Sequence, residues 1–270
     1  MKTTSPAGHA RLLGGYVIAY ILFLYLPVVL IPLFSFNDSI QAAFPLKGFT
    51  FEWYRTLVGN EAIPAALGNS LVIAFSSAVI ATLCGTTIAY LDLYGATPFS
   101  AIISGLSRLP ILIPGVIVGI ALLILVNLVG LGPSRIAIVM GHVLVCLPTT
   151  VVVMRGRFAA IPKSIAEAAS DLGAHDAVVF RRAVLPLAWS AVASAFTLSF
   201  LTSFDEFIVA FFLAGTEPTL PLYIWSQLRF PKSLPTVMAL GTLILAVSVA
   251  LVTVAEILRR RQPSMSIAKD

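Results

Sequence analysis

The fold of this chain is decided by residues 163–186, which have the sequence KSIAEAASDLGAHDAVVFRRAVLP. Ser164 followed three residues later by Glu167 predicts a capping box, in which each side chain accepts a hydrogen bond from a backbone N–H at the start of a helix. Gly173 is placed to end that helix, because glycine is the residue most often found in the left-handed conformation just past a helix. The stretch therefore predicts a short helix between Ser164 and Gly173.

The predicted helix has two distinct faces. Its apolar face consists of four residues at the spacing i, i+3, i+4, i+7: Ile165, Ala168, Ala169 and Leu172. A second face carries three charged residues: Lys163, Glu167 and Asp171. A helix this short is not stable alone in water, so it must dock on something. From the residues alone two surfaces remain open, the membrane ends of the same protein or a groove in a cytosolic partner.

Long apolar runs lie on both sides of this stretch. Hydrophobic residues make up 59% of the 270 residues and charged residues 11%, whereas soluble domains carry roughly 45–50% and about 25%. This composition excludes a soluble enzyme and a disordered chain. A membrane-spanning helix needs about 20 mainly apolar residues, and we predict one all-α transmembrane domain over residues 1–270. Six spans are predicted: 12–36, 64–91, 101–127, 134–154, 187–213 and 235–258.

The basic residues indicate how the chain is oriented. On the side that includes both termini and the loop 155–186 there are twelve: Lys2, Arg11, Arg108, Arg155, Arg157, Lys163, Arg181, Arg182, Arg259, Arg260, Arg261 and Lys269. On the opposite side there are five: Lys47, Arg55, Arg135, Arg229 and Lys232. Because basic residues are enriched in cytoplasmic loops, we expect cytoplasmic termini, a retained first span, and outward-facing loops over 37–63 and 214–234.

The sequence lacks the motifs that several classes of chemistry usually require. Two cysteines exclude a disulfide scaffold. We find no compact set of metal ligands and no phosphate-binding loop, and we find no nucleophile–base pair of the kind that an intramembrane enzyme would need. The net charge of +5 fits membrane orientation better than nucleic-acid binding. No metal, cofactor or nucleic acid is predicted, and any ATP hydrolysis would have to occur on another chain.

Polar residues inside the spans form two further features. The second span carries a stripe of small polar residues that suits close helix packing: Asn69, Ser70, Ser76, Ser77, Thr82, Thr86 and Thr87. His142 stands alone in the fourth span, where a core position is the simpler interpretation than a metal ligand.

Asp205 and Glu206 lie inside the predicted fifth span. A carboxylate at the centre of a membrane helix costs roughly 2.5–3.5 kcal/mol on insertion scales, so neither acid is expected to face lipid. Each acid either pairs with a structural partner or lines a path for a cationic substrate. Four nearby aromatic residues, which could equally serve packing, offer cation–π contacts to such a substrate: Phe204, Phe207, Tyr223 and Trp225.

Several motifs carry a family resemblance. Glu167-Ala168-Ala169, then Gly173, then Ala183-x-Leu185-Pro186 resembles the Glu-Ala-Ala loop of binding-protein-dependent ABC importer permeases, which usually have isoleucine where this chain has Ala183. Further stretches are similar to the spermidine/putrescine-type branch, and to its C-type permease in particular. They are Ser35-Phe36-Asn37-Asp38, Phe49-Thr50-Phe51-Glu52-Trp53-Tyr54, Ser203-Phe204-Asp205-Glu206-Phe207 and Thr219-Leu220-Pro221-Leu222-Tyr223-Ile224-Trp225.

The resemblance implies a subunit of a type I ABC importer with the MetI-like fold, in a bacterial inner membrane. Its partners would be a homologous second permease, an ATPase dimer and a periplasmic substrate-binding protein. The residues implied for coupling to the ATPase are Glu167, Ala168, Ala169, Asp171 and Gly173. The residues expected along the substrate path are Ser203, Phe204, Asp205, Glu206, Phe207, Tyr223 and Trp225. Polyamines are the expected substrate, with opines, amino-acid derivatives or organophosphonates, or a stand-alone secondary transporter, as alternatives.

Overall fold

A computed structural model describes residues 6–95 and 97–260, which are mostly helical. The predicted signals at Lys2, Arg261 and Lys269 lie outside this range. The helices are α1 (Pro6–Ser35), α2 (Glu52–Val58), α3 (Ala62–Tyr94), α4 (Pro98–Leu106), α5 (Gly115–Leu128), α6 (Arg135–Ala159), α7 (Lys163–Asp171), α8 (Asp176–Val178), α9 (Leu185–Leu187), α10 (Trp189–Asp205), α11 (Ile208–Leu213), α12 (Leu220–Leu228) and α13 (Leu234–Arg260). A π-helical turn, Val179–Val184, joins α8 to α9, and 3₁₀ turns occupy Leu109–Leu112 and Pro231–Ser233.

The described residues include four helices that are long and apolar enough to cross a membrane, or up to six if each of two bent pairs counts as one span. The four continuous candidates are Leu13–Ser35, Ala62–Tyr94, Arg135–Ala159 and Pro231–Ala250. The prediction of an all-α membrane fold is confirmed. At about 1.5 Å per residue, α3 is about 50 Å long, which exceeds the roughly 30 Å of a bilayer's hydrocarbon core.

The span predicted over 101–127 is not one continuous helix. Residues Pro98–Leu112 and Gly115–Leu128 meet at a bend of 113°. Ile113 between them is extended (φ −97°, ψ 129°) and precedes Pro114. A residue before proline is disfavoured in the helical conformation, and proline has no N–H to donate, so the break follows from Pro114.

The span predicted over 187–213 also differs from one continuous helix. It begins after a 79° bend between Asp176–Leu187 and Trp189–Asp205. Helix α10 then ends at Asp205, Glu206 is extended (φ −70°, ψ 112°), and α11 begins only at Ile208. The two acidic residues therefore lie at a helix break, with Asp205 as the last residue of α10 and Glu206 between the two helices.

The chain contacts divide into two compact units, and the second runs from Ala62 to Tyr223. Its centre is formed by α3, α6 and α10, which pack against one another. Small residues bring α3 and α6 together: a Cβ atom added at Gly85 would lie 2.5 Å from Cγ2 of Thr150. The polar stripe predicted for close packing is largely confirmed, because five of its members are buried: Asn69, Ser70, Ser77, Thr82 and Thr86.

The first unit combines residues up to Glu61 with residues from Ile224 onward. In it α13 packs against α1 and α2. Asn37 organises the connection between α1 and α2, because its side-chain oxygen accepts a hydrogen bond from the Lys47 N–H at 2.9 Å and its carbonyl accepts one from the Trp53 indole at 2.9 Å. The prediction of a single transmembrane domain over residues 1–270 stays a prediction.

Candidate functional site

Helix α7 begins without the predicted capping box. Its N-cap is Pro162, and no side chain accepts a hydrogen bond there. Ile161, just before it, is buried in an apolar cluster that includes Phe158 and Val179. Because Ile161 is held in this cluster, the helix begins directly after Pro162, at Lys163. Ser164 is therefore the second helical residue and comes too late in the chain to serve as the N-cap. The prediction for Ser164 is therefore wrong.

The end of α7 has the geometry that the sequence predicts. Gly173 has φ +85°, the left-handed region that favours glycine. Its N–H donates to the Ser170 carbonyl at 2.8 Å, and the Ala174 N–H donates to the Ala169 carbonyl at 3.1 Å. This pair of bonds is a Schellman motif, which satisfies carbonyls that the helix end would otherwise leave unpaired.

Only a narrow face of α7 contacts the body of the protein. Ala166 and Ala169 pack against the apolar cluster around Phe158. Most of the predicted apolar face points away: Ile165 is 36% exposed, Leu172 is 90% exposed, and Ala168 is exposed as well. The helix therefore docks on the protein's own body through Ala166 and Ala169. Ile165, Ala168 and Leu172 are left uncovered, so they remain available for the second docking surface, a groove in a partner.

The charged side of α7 borders a cavity of about 370 Å³. The residues of α7 that line it include Lys163, Glu167 and Asp171, as the helical spacing predicts. Across the cavity lie Tyr90 and Tyr94 of α3, whose rings stack with centroids 4.8 Å apart. Asp176 adds a further carboxylate to the lining, so acidic groups outnumber the one lysine.

The two acids at the α10–α11 break occupy different environments. One carboxylate oxygen of Glu206 accepts a hydrogen bond from the Val209 N–H at 2.9 Å, which satisfies a free donor in the first turn of α11. Asp205 is exposed. Among the side chains that the structure describes, none forms a hydrogen bond or an ion pair with the Asp205 carboxylate. Glu206 therefore supports local structure, and Asp205 is the acid with a carboxylate available for a ligand.

Ser203 lies in a buried polar column between α6 and α10. Its hydroxyl is 2.7 Å from Nδ1 of His142. Four residues earlier on α10, the Ser199 hydroxyl is 2.9 Å from that of Thr150. His142 is a core residue, as the sequence indicates, although its Nε2 has no hydrogen-bond partner among the described residues. Ser203 thus fixes α10 against α6, and its side chain is not exposed.

The four aromatic residues expected along the path lie on three helices or their ends. Phe204 stacks on Phe200 within α10, with ring centroids 6.1 Å apart. Phe207, at the start of α11, contacts Phe211. Tyr223 is buried in α12, and Trp225 in the same helix is 38% exposed with the Arg229 guanidinium 5.6 Å from its ring centroid.

Two features of the structure were not predicted from the sequence: the pairing of His142 with Ser203 and a row of exposed hydroxyls on α10. The row comprises Ser190, Ser194 and Thr197, all exposed. Their spacing of four and three residues was a usable signal, because residues at that spacing share one face of a helix.

Comparison with known proteins matches this chain to a protein family, to individual permeases and to solved structures. The family described as "Binding-protein-dependent transport system inner membrane component" matches residues 81–262. The spermidine/putrescine transport system permease protein PotC of Escherichia coli (strain K12) is 34% identical over 251 residues, which cover 92% of this chain and 93% of that protein. The putrescine transport system permease protein PotI of the same organism is 33% identical over 235 residues, which cover 83% and 82%.

Two solved structures share the fold. A chain of a bacterial ABC transporter involved in import of the acidic polysaccharide alginate superposes with a TM-score of 0.70, at 17% identity over 97% of this chain and 100% of that chain. A chain of the MetNI methionine ABC transporter in an inward-facing conformation gives a TM-score of 0.57, at 19% identity over 78% and 99%. The MetI-like architecture expected from the sequence is confirmed by these matches.

Proposed function

The chain belongs to the family of binding-protein-dependent transport system inner membrane components, and on that premise we propose that it forms half of the translocation path of an ABC importer for polyamines. Its substrate would be delivered by a periplasmic binding protein. A homologous second permease would complete the path, and a separate ATPase dimer would drive transport. Both termini and α7 would lie on the cytoplasmic side of a bacterial inner membrane.

The uncovered surface of α7 is the observation that carries this proposal. Leu172 is 90% exposed at the tip of a helix whose end is fixed by a Schellman motif. A leucine that is almost fully exposed beside exposed Ile165 and Ala168 makes a small apolar patch on a rigid knob. Such a patch is suited to a hydrophobic groove on a partner. In this protein the partner would be the ATPase, with Glu167 and Asp171 at the rim of the contact and Ala169 and Gly173 holding the knob in place.

The choice of polyamines has two supports. The relatives PotC and PotI are named for spermidine and putrescine transport. Asp205 also presents an exposed carboxylate with no ionic partner in the described part of the chain. A negative group in a passage raises the local concentration of cations and disfavours anions. An organophosphonate is therefore a poorer fit to this subunit than a polyamine.

The test begins with the complete transport system purified in mild detergent. We expect the ATPase and a second permease to co-purify, and we expect vesicles containing the complex and the binding protein to accumulate labelled spermidine or putrescine only with ATP. Transport by the chain alone, without an ATPase, would identify a secondary transporter instead. Uptake of an opine, an amino-acid derivative or an organophosphonate, but of neither polyamine, would contradict polyamines as the substrate and would still support the ABC importer.

A pair of matched variants isolates the docking surface. Leu172→Asp places a charge in the proposed apolar contact and should strongly reduce the recovery of the ATPase with the permease. Val58→Asp is the control, because Val58 is 91% exposed at the end of α2, in the segment proposed to face the opposite side. Equal ATPase recovery from both variants would contradict the proposed role of α7.

A further inference from the structure

Helix α10 has three chemically different faces. At about 100° per residue, Ala195, Ser199 and Ser203 fall on one face, which is the buried one. The adjacent face carries three phenylalanines and the remaining face carries polar residues that are exposed. In a chain of this class, an exposed polar face must meet water, a partner or lipid, and lipid disfavours it.

The exposed face bears hydroxyls and ends in a carboxylate. Ser190, Ser194, Thr197 and Asp205 fall within a sector of about 80°, and all four are exposed. Leu201 lies between the last two. A charged group on a membrane-embedded helix is expected to face a water-filled cavity or the bundle interior. The position of Asp205 on this face therefore favours water over lipid at the C-terminal end of the stripe.

The hydroxyls on this face are arranged as hydrogen-bond acceptors. The Ser194 hydroxyl donates to the Ser190 carbonyl at 2.9 Å, and the Thr197 hydroxyl donates to the Ala193 carbonyl at 2.9 Å. Their hydrogens are used within the helix, so the oxygen lone pairs are what remain for a ligand. Asp205, when ionised, is also acceptor-only. An ammonium group has donors and no acceptors, which is the matching chemistry.

Aromatic rings border the hydroxyl stripe along α10. Phe196 and Phe200 stack with centroids 6.5 Å apart, and Phe200 and Phe204 with centroids 6.1 Å apart. Phe75 of α3 contacts Phe196 edge to face, with ring centroids 5.7 Å apart. The face of an aromatic ring attracts a cation, and this cation–π interaction is worth about 0.5–1 kcal/mol at exposed sites. Neither α10 nor α11 contains a lysine or arginine that would oppose a cation.

We infer that this face of α10, from Ser190 to Asp205, is the wall that the present subunit contributes to an aqueous path for linear ammonium compounds. The inference deepens the proposed polyamine function and rests on it for the substrate. On this inference Ser194, Thr197 and the stacked rings of Phe196, Phe200 and Phe204 line the path. Ser203 and Glu206 do not line it and instead stabilise the helices that form it.

Cysteine accessibility in the assembled, membrane-embedded complex tests the wall directly. The two native cysteines are first replaced, as Cys84→Ala and Cys146→Ser, and single variants Ser194→Cys and Thr197→Cys are introduced. Membrane-impermeant thiol reagents of positive and negative charge are then applied. We expect modification of both variants, at least threefold faster with the cationic reagent, and slowing by saturating spermidine.

Two control variants define the background. Ile124→Cys places a thiol at a site that is 56% exposed on the apolar helix α5, and Ala195→Cys places one on the buried face of α10; both should remain unmodified. Adding Asp205→Asn to Thr197→Cys should remove the preference for the cationic reagent while leaving the thiol reactive. Protein level and co-purification of the partner subunits show that each variant has assembled.

The outcomes separate this inference from the proposed function. Thiols at 194 and 197 that react no faster than the one at 124, in a complex that still takes up polyamine, would overturn the wall and leave the importer standing. Equal rates with both reagents would overturn the cation path. Reactive, cation-preferring thiols in a complex that transports no polyamine would support the wall and contradict the substrate.

Discussion

Gly173 shows how one residue can decide the geometry of the surface that we propose docks on the ATPase. With φ +85° it is in a conformation that side chains rarely adopt, and an added Cβ would meet no atom within 4 Å. Any penalty for a larger residue therefore comes from the backbone and not from crowding. For an L-residue this conformation costs roughly 1–2 kcal/mol.

We predict that Gly173→Val leaves the protein inserted but uncouples ATP hydrolysis from uptake. Loss of the left-handed residue opens the Schellman motif and displaces Leu172, while no transmembrane packing is touched. Substrate-stimulated ATPase activity and uptake, measured in the same vesicles, check this. Gly156→Val is the control, because Gly156 lies inside α6 with open space around it and without a positive φ. Normal coupling in Gly173→Val would refute the prediction.

Asp205 and Glu206 are neighbours in sequence with separate roles in the structure. We predict that Asp205→Asn inserts normally but takes up polyamine several-fold more slowly at limiting substrate, because it removes the exposed charge and keeps the shape. Glu206→Gln retains an oxygen that can accept from the Val209 N–H and should therefore preserve more uptake. Initial rates over a range of substrate concentrations would decide, and wild-type rates in Asp205→Asn would remove this residue from the path.

At the scale of elements, close packing between α3 and α6 depends on Gly85. A Cβ at this position would lie 2.5 Å from Cγ2 and 2.7 Å from Cβ of Thr150, closer than real contacts allow. We predict that Gly85→Val lowers the thermal stability of the purified complex, since overpacking a dense core costs typically 1–3 kcal/mol. The control Gly68→Val is on the same helix with no atom within 4 Å. Melting temperatures that fall equally in both variants would refute the role of this contact.

Helix breaks mark the limit of what hydropathy can predict. The apolar runs gave the positions of α1, α3, α6 and α13, because a bilayer imposes a length and a composition on anything that spans it. The break at Pro114 was visible in the sequence as a proline, but prolines are also tolerated inside membrane helices, so the bend could not be deduced. The break after Asp205 has no proline or glycine signal. It is stabilised by the Glu206 side chain, which bonds to the backbone of α11.

The start and the end of α7 differ in how well the sequence predicted them. Gly173 determines its own conformation, so the end was predictable from one residue and its spacing. The start depends on Ile161, which is buried against residues distant in sequence such as Val179. The candidate site residues divide in the same way. The helix that carries Glu167, Ala168 and Ala169 was predictable from local sequence, whereas the burial of Ser203 depends on its contact with His142, 61 residues away.

At the scale of the whole molecule, two ion pairs lie at the two ends of α6, one on each of the sides that the basic-residue distribution assigns. Arg155 of α6 pairs with Asp92 of α3, with Nε and Oδ2 2.7 Å apart. Arg135 at the other end of α6 pairs with Glu217. Arg135 was one of five basic residues on the side predicted to face outward, and its acidic partner reduces the net charge there.

We predict that Thr216→Cys is labelled by a membrane-impermeant thiol reagent added to intact cells from which the outer membrane has been removed. Ser170→Cys on α7 should be labelled only after the inner membrane is permeabilised. The background for both variants lacks Cys84 and Cys146. The expected pattern follows from the excess of basic residues on the side of α7, because such residues are retained in the cytoplasm. The reverse labelling pattern would invert the topology and with it the role proposed for α7.

The hydrogen bond from the Val209 N–H holds one oxygen of Glu206 against the backbone of α11, so this carboxylate is less free than Asp205 to contact cargo. Of the two carboxylates at the break, Asp205 is the exposed one. Putrescine is a diamine and spermidine a triamine, so one carboxylate neutralises only part of either molecule. In the proposed importer, the remaining counter-charges would be supplied by the other polypeptides of the assembly. Discrimination by valence would then be a joint property of the two permeases proposed to form the path, and exchanging one of them between transporters should change which polyamine is preferred.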